Sequence, residues 1–341
     1  MGRLLIIFSL MAGCFFHSCT TEDSENDSIQ VDFSDVDCDS VPLSQFIDSI
    51  TYVTLELNDS LVFGRIKNVS FNDSTIVVLD NLTNEVTQFT HEGKFIRRIG
   101  SKGRGPGEFI SATKLDSDDK HIYIYDRMLL SVLKYDHDGN YIDRDSIGSA
   151  EDFVAIGTNG TPIYLLALYN ASPERSGIFL WNRDKGRRNL YGCSEDTPLN
   201  HPWEIFKDSD EVSVMTRDYE NRIFNLDGDS LTIELDLKIS PTPSKHDLNN
   251  WHPKNVMEYF TRGYYYNTSR WTICDYWRGD ESRVVIIDKK TGHKIVTNKL
   301  YNDIDSIKAV QGLPRTVNNS LIFVVPDDED DFRLQLRHLK R

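Results

Sequence analysis

Five glycines constrain this chain more than any other feature. Gly93, Gly139, Gly186, Gly228 and Gly292 each separate two runs of alternating apolar and polar residues, as the turn of an antiparallel hairpin demands. They recur after 46, 47, 42 and 64 residues. Four-stranded propeller blades repeat at roughly 40–50 residues. A pair of β-sandwiches explains the alternation but not the period. The first two repeats agree in detail. Ile76-Val77-Val78-Leu79-Asp80 precedes Val86–Phe89, the turn His91–Lys94 and Phe95–Ile99; Ile122-Tyr123-Ile124-Tyr125-Asp126 precedes Val132–Tyr135, the turn His137–Asn140 and Tyr141-Ile142. The two aspartates are expected to cap strand ends by accepting backbone N–H groups.

The long fourth gap is one blade plus about twenty further residues. These lie at about 238–262 and contain Pro241, Pro243, Pro253 and a helical pattern around Lys254–Phe260. Five turns account for five blades. Ile307–Val310, Ser320–Val325 and Phe332–Leu339 supply three strands of a sixth, and Thr51–Leu57 is free to supply the fourth. Closing the last blade with an N-terminal strand removes the open sheet edges that invite aggregation. The expected fold is therefore all-β, a six-bladed β-propeller of four-stranded antiparallel blades over residues 41–341.

Ahead of it, Arg3 precedes an apolar run from Leu4 to about Phe16, too short to span a bilayer and ordered like an export signal. Residues 1–18 resemble a bacterial lipoprotein signal peptide, with Cys19 as the lipid acceptor. Cys14, after Met11-Ala12-Gly13, is the rival acceptor, and a plain cleaved signal or an uncleaved anchor is the other alternative. The acidic residues after Cys19 resemble the surface-export signal of Bacteroidetes lipoproteins. Residues 19–40, rich in Asp, Ser and Glu, read as an acidic flexible tether. That places the protein in the cell envelope, at the outer membrane and facing outward, with membrane contact through the lipid alone.

The segment Gly100-Ser101-Lys102-Gly103-Arg104-Gly105-Pro106-Gly107-Glu108-Phe109 resembles the junction of NHL-type propeller repeats. With Ile50–Leu57 and the acidic start, the chain is similar to the six-bladed β-propeller lipoproteins of Bacteroidetes. The resemblance implies fold and location and no single activity. A phosphate loop is not the reading of this junction. No Lys-Ser/Thr pair follows, and Phe109 leads into a strand rather than a helix.

Charge limits the partners. Lys and Arg total 38 against 53 Asp and Glu, a formal −15, the opposite of a nucleic-acid footprint. Cys38, Cys193 and Cys274 form no C-x-x-C pair, so they allow at most one disulfide and read better as free thiols. His91, His137 and His293 sit beside turn glycines. His201, His246 and His252 lie in connecting segments that can reach a channel mouth, where NHL-type lyases gather metal-binding histidines; no H-x-H or H-E-x-x-H pair occurs. Asp327–Asp331 lacks the spacing of a calcium loop and reads as a solvated hairpin.

The richest candidate site is aromatic. Trp251, Tyr264, Tyr266, Trp271, Tyr276 and Trp277, with Arg262 and Arg270, fall in and just after the insertion, a composition suited to stacking on rings and bonding hydroxyls or carboxylates. Strand alternation puts Tyr264 and Tyr266 opposite Tyr265, so the cluster cannot all line one surface. His201-Pro202-Trp203 and Glu204 are a second pointer to the channel. Neither a catalytic group, a metal site nor a cofactor is evident. The expected role is an envelope lipoprotein presenting its propeller to a ligand, a glycan or a peptide, or to partner envelope proteins. A hydrolase or lyase with a metal-assisted site at the central channel is the alternative.

Overall fold

A computed structural model describes residues 28–57, 63–156, 162–168, 176–192, 204–208, 211–216, 221–244, 246–247, 258–308, 311–326 and 332–341. Three strands come first: β1 (Ser28–Asp32), β2 (Cys38–Pro42) and β3 (Ile47–Thr54). Blade 1 follows as β4 (Ile66–Phe71), β5 (Thr75–Asp80), β6 (Glu85–Thr90) and β7 (Phe95–Arg98). The two-residue strands β8 (Ser101–Lys102) and β9 (Glu108–Phe109) pair across the Gly-rich junction. Blade 2 is β10 (Ala112–Ser117), β11 (His121–Asp126), β12 (Ser131–Asp136) and β13 (Tyr141–Ser146). Blade 3 is β14 (Asp152–Ile156), β15 (Ile163–Leu168), β16 (Gly177–Asn182) and β17 (Gly186–Gly192). Blade 4 is β18 (Glu204–Asp208), β19 (Glu211–Met215), β20 (Arg222–Asp227) and β21 (Ser230–Ser240). Blade 5 is β22 (Thr261–Asn267), β23 (Trp271–Arg278), β24 (Glu281–Asp288) and β25 (His293–Tyr301). Blade 6 is β26 (Gln311–Val317), β27 (Ser320–Pro326), β28 (Phe332–Leu339) and, as its outer strand, β3.

The turn glycines mark the turn from the third to the fourth strand in blades 1 to 5, Gly186 as the first residue of β17, all with positive φ. Ring closure is as expected: β3 runs antiparallel to β28 from Thr54 opposite Arg333 to Ile47 opposite Leu339. The closing strand begins four residues earlier than Thr51, and the inner strand of blade 6 is Gln311–Val317 instead of Ile307–Val310. Gly312 and Pro314 mask that strand in the sequence, and its register shifts between Gly312 and Thr316.

One expectation is overturned. Residues 28–40 are not tether. β1 pairs in parallel with β21 on the outer edge of blade 4, and β2 pairs in parallel with β25 on the outer edge of blade 5. With β3 they form a belt around three successive blades. The belt is held by the apolar side chains of Val31, Phe33, Val41, Leu43 and Phe46, all buried. Each such burial is worth roughly 1.5–3 kcal/mol. Only alternate residues face the blades, which is why Asp32, Asp37 and Asp39 can share the segment.

The core is a set of wedges between neighbouring blades. Val77, Leu79 and Ile99 of blade 1 pack on Leu115, Ile122 and Ile124 of blade 2, and equivalent clusters follow around the ring. The largest wedge joins blades 4, 5 and 6 with the belt. Second strands are covered on both faces, so β5 is buried from end to end and reads as an unbroken apolar run. Asp80 and Asp126 do cap: Asp80 accepts N–H bonds from Gly64, Arg65, Leu82 and Thr83, and Asp126 from Ile110, Ser111, Met128 and Leu129.

Candidate functional site

The inner strands line a channel occupied by charged pairs. Near the end where these strands begin, Lys114 Nζ lies 3.1 Å from Asp152 Oδ1 and Arg262 lies 3.9 Å from Glu204. Deeper in, Lys207 Nζ lies 2.9 Å from Asp116 Oδ2 and 3.3 Å from the Ala155 carbonyl. Burial pushes the Glu204 carboxyl up, against the pull of Arg262. Burial also pulls the Lys67 ammonium down, with Lys114 and Arg65 adding to the effect. Toward the far end, the inner strands of blades 4 and 6 meet in a parallel bridge between Asp208 and Thr316. Blade 5 therefore cannot lie between them at that level.

The far end opens into a polar depression of about 370 Å³ that includes Asn72, Asp73, Asp118, Asp119 and Asn318. His91 and His137 are hairpin residues, as expected. The Nε2 of His91 is 2.9 Å from the Asn72 carbonyl, and that of His137 is 2.8 Å from the Asp118 carbonyl. Among the described residues no three His, Cys, Asp or Glu side chains gather as metal ligands. His201, His252, Pro202, Trp203, Cys193 and the Asp327–Asp331 run lie outside the described residues, as do Cys14, Cys19 and most of the helical pattern around 254–260.

The more distinctive site is a cleft of about 560 Å³ between blades 5 and 6. Alternation along the strands builds its first wall. Tyr264 and Tyr266 of β22, Ile273, Asp275 and Trp277 of β23, and Val284 of β24 all turn toward blade 6. Gly312, Phe323 and Arg337 of blade 6 form the opposite wall, and Leu43 of the belt and residues 300–302 and 306–308 complete it. Ser44 ties belt and loop together: its N–H and hydroxyl both donate to the Asp303 carboxylate.

The cleft is polarised by strand order. Its inner end, on β22 and β23, carries Asp275 among Tyr264, Tyr266 and Trp277. Its outer end, on β25 and the loop beyond, carries Lys299 and Lys308. The Trp277 indole N–H donates to Asp275 Oδ2 at 2.8 Å, while Asp275 Oδ1 has no hydrogen-bond partner. Gly263 makes room for this carboxylate, since a Cβ there would stand 2.7 Å from both its oxygens. Burial raises the Asp275 carboxyl above the usual range, with the Trp277 bond opposing. The Tyr266 hydroxyl is likewise without a partner, and the ring is only 6% exposed. Burial, then Asp275, raises its phenol. Arg337 stacks 3.9 Å over the Phe323 ring and donates from Nε to Gln335. Burial lowers its guanidinium below the ordinary value.

The aromatic candidates are thus divided. Tyr264, Tyr266 and Trp277 share the cleft, with Tyr264 and Trp277 exposed at 41% and 48%. Tyr276 faces blade 4, where its hydroxyl donates to Asn221. Arg262 also turns that way, to Glu204 and the Thr216 carbonyl. Trp271 and Arg270 sit at the opposite end of β23. There the indole N–H bonds the Lys340 carbonyl, and Arg270 pairs with Asp288 at 2.7 Å. Trp251 lies outside the described residues. Cys274 is buried beside this group as a free thiol pushed up to about 12 by burial, and Cys38 is unpaired on β2. The opposite wall, Phe323 and Arg337, carried no signal in the sequence, because only the order of blades brings it to Tyr266.

The chain is thus a six-bladed β-propeller with an open cleft between two of its blades. The chain belongs to the family DUF4934, a domain of unknown function, whose match spans residues 28–335 and so begins with the belt. Among solved structures it is similar to a candidate exported protein of Bacteroides fragilis. That protein is 16% identical, with 92% of this chain and 100% of the other covered and a TM-score of 0.68. A DUF4221 family member from Bacteroides vulgatus is 8% identical over 86% of this chain and 97% of its own, with a TM-score of 0.55. At such identities the likeness is one of fold. No curated protein matches the chain.

Proposed function

We propose that this chain is a lipid-anchored envelope protein that acts by binding, and that the cleft between blades 5 and 6 holds a small ligand with an apolar or aromatic body. One observation carries the reading: two buried polar atoms behind the face of an aromatic cleft, Asp275 Oδ1 and Tyr266 Oη, have no partner. An unsatisfied buried polar group costs about 1–3 kcal/mol, which a ligand able to bond it would recover. The channel favours binding over catalysis less directly: Asp116 and Asp152 are each held by a lysine, so neither stands free as a general base. The signal-like start and the exported relative support an envelope location.

A thermal-shift screen of the purified protein against glycans, peptides and small amphiphiles tests the reading. A ligand at a hundred times its Kd stabilises by about 2.7 kcal/mol, and the gain should vanish in a Tyr264→Ala/Trp277→Ala variant. Hits that persist there would move the site elsewhere. Lipid labelling of Cys19→Ala and Cys14→Ala tests the anchor, and labelling that survives in Cys19→Ala and is lost in Cys14→Ala would assign it to Cys14.

A further inference from the structure

The cleft's polarity says more than its shape. This step rests on the cleft being the ligand site and concerns the charge of what enters. Asp275 is the carboxylate among the described lining residues, and it stands at the inner end. The lysines that share the cleft lie at its outer end: Lys299 on the fourth strand of blade 5, 3.9 Å from Asp39 of the belt, and Lys308 on the loop beyond; Arg337, stacked over Phe323, is the one cation near Tyr266 among the described lining residues. Around Asp275 stand three aromatic side chains, and the Tyr266 hydroxyl, buried beside Gly312, has no hydrogen-bond partner. A carboxylate among aromatic rings attracts a cation twice, by charge and by the negative faces of the rings. Two partnerless acceptors on one wall ask for a group with more than one N–H to donate.

We propose that the inner end of the cleft receives the ammonium group of an organic amine, with Asp275 as counter-charge, Tyr266 as second acceptor and Tyr264 and Trp277 as aromatic walls. The apolar body of the amine then lies along Ile273, Val284 and Phe323. Trp277, exposed and bonded to Asp275 through its indole, is the side chain that turns to admit it. Lys299 and Lys308 repel the same cation at the outer end and so fix its orientation.

Calorimetric titration with three probes of one shape tests this: 2-phenylethylammonium, the neutral 2-phenylethanol and the anion 3-phenylpropanoate. The ammonium should bind at least about tenfold more tightly than the alcohol, a modest cation–π and ion-pair difference. The margin should disappear in Asp275→Asn and shrink in Trp277→Ala, whose exposed position keeps that variant folded if Asp275→Asn is not. Equal binding of ammonium and alcohol, both weakened by Trp277→Ala, would overturn the charge assignment and leave the cleft as the binding site. Preference for the propanoate, or no binding by any probe, would overturn it too. Ammonium binding unchanged in Tyr264→Ala/Trp277→Ala would overturn both the assignment and the cleft.

Discussion

Phe33→Ala asks whether the belt is part of the folded ring or merely rests on it. Phe33 is 1% exposed, with its ring centroid 4.9 Å from that of Phe260 and 5.0 Å from that of Tyr276. Its N–H donates to the Ser240 carbonyl at 2.8 Å, and its carbonyl accepts from Arg283 Nε at 3.1 Å. The backbone bonds survive truncation; the ring does not. Losing a fully buried Phe side chain and leaving its cavity costs about 3–5 kcal/mol, of which each aromatic contact supplies about 0.5–1.5. A loss of at least about 3 kcal/mol is therefore expected. Urea unfolding followed by tryptophan fluorescence measures it, with the slope against denaturant unchanged if the belt stays docked. Limited proteolysis before and after the substitution reports cleavage between Ser28 and Cys38. A loss under about 1 kcal/mol, with cleavage equally easy in both proteins, would refute the belt and restore the tether.

Other substitutions separate further contributions. Gly93→Ala should cost clearly more than Gly186→Ala: both have positive φ, worth about 1–2 kcal/mol to a side chain, but a Cβ at 93 would meet the Thr54 carbonyl at 1.9 Å while none at 186 meets anything within 4 Å. Thermal melts of the two variants decide it. Asp80→Ala strips four backbone N–H groups of their acceptor and should cost 3 kcal/mol or more, about 1.5–3 being usual for each hydrogen bond to a charged group; chemical denaturation reads the loss. Asp275→Asn has a signed pH dependence. Because burial raises this carboxyl in the folded state, the folded protein binds the extra proton, and stability is lost as pH rises from the ordinary carboxyl value through the raised one. The Asn variant is spared that loss, so melting curves from pH 4 to 7 should show it gaining on the parent protein as pH rises.

The ring was legible because hairpin turns leave local marks. A glycine turn between alternating strands is visible within ten residues, and five such marks locate five of the six blades. The belt was not legible because an edge strand buries only one face: Val31, Phe33 and Val41 are too few against Asp32, Asp37 and Asp39 to stand out from a solvated linker. Parity along β22 was readable: Tyr265 packs on Phe206 of blade 4, while Tyr266 packs on Phe323 of blade 6 and meets Phe206 only edge-on. What parity cannot supply is the facing wall. Arg337 and Leu43 reach the cleft from the two ends of the chain, through pairings that no local pattern records.

Those pairings also govern when the protein can be finished. Thr51 of the closing strand bonds His338, 287 residues away. β1 and β2 wait on strands some two hundred and more residues downstream, and β3 waits longest. A chain made from its N-terminus cannot seat its first three strands until blades 4, 5 and 6 arrive in turn. The belt therefore winds on in the order in which the last half of the ring is made, and the cleft acquires its Leu43 and Arg337 walls only at the final step. The cleft is therefore complete only once the whole ring is closed.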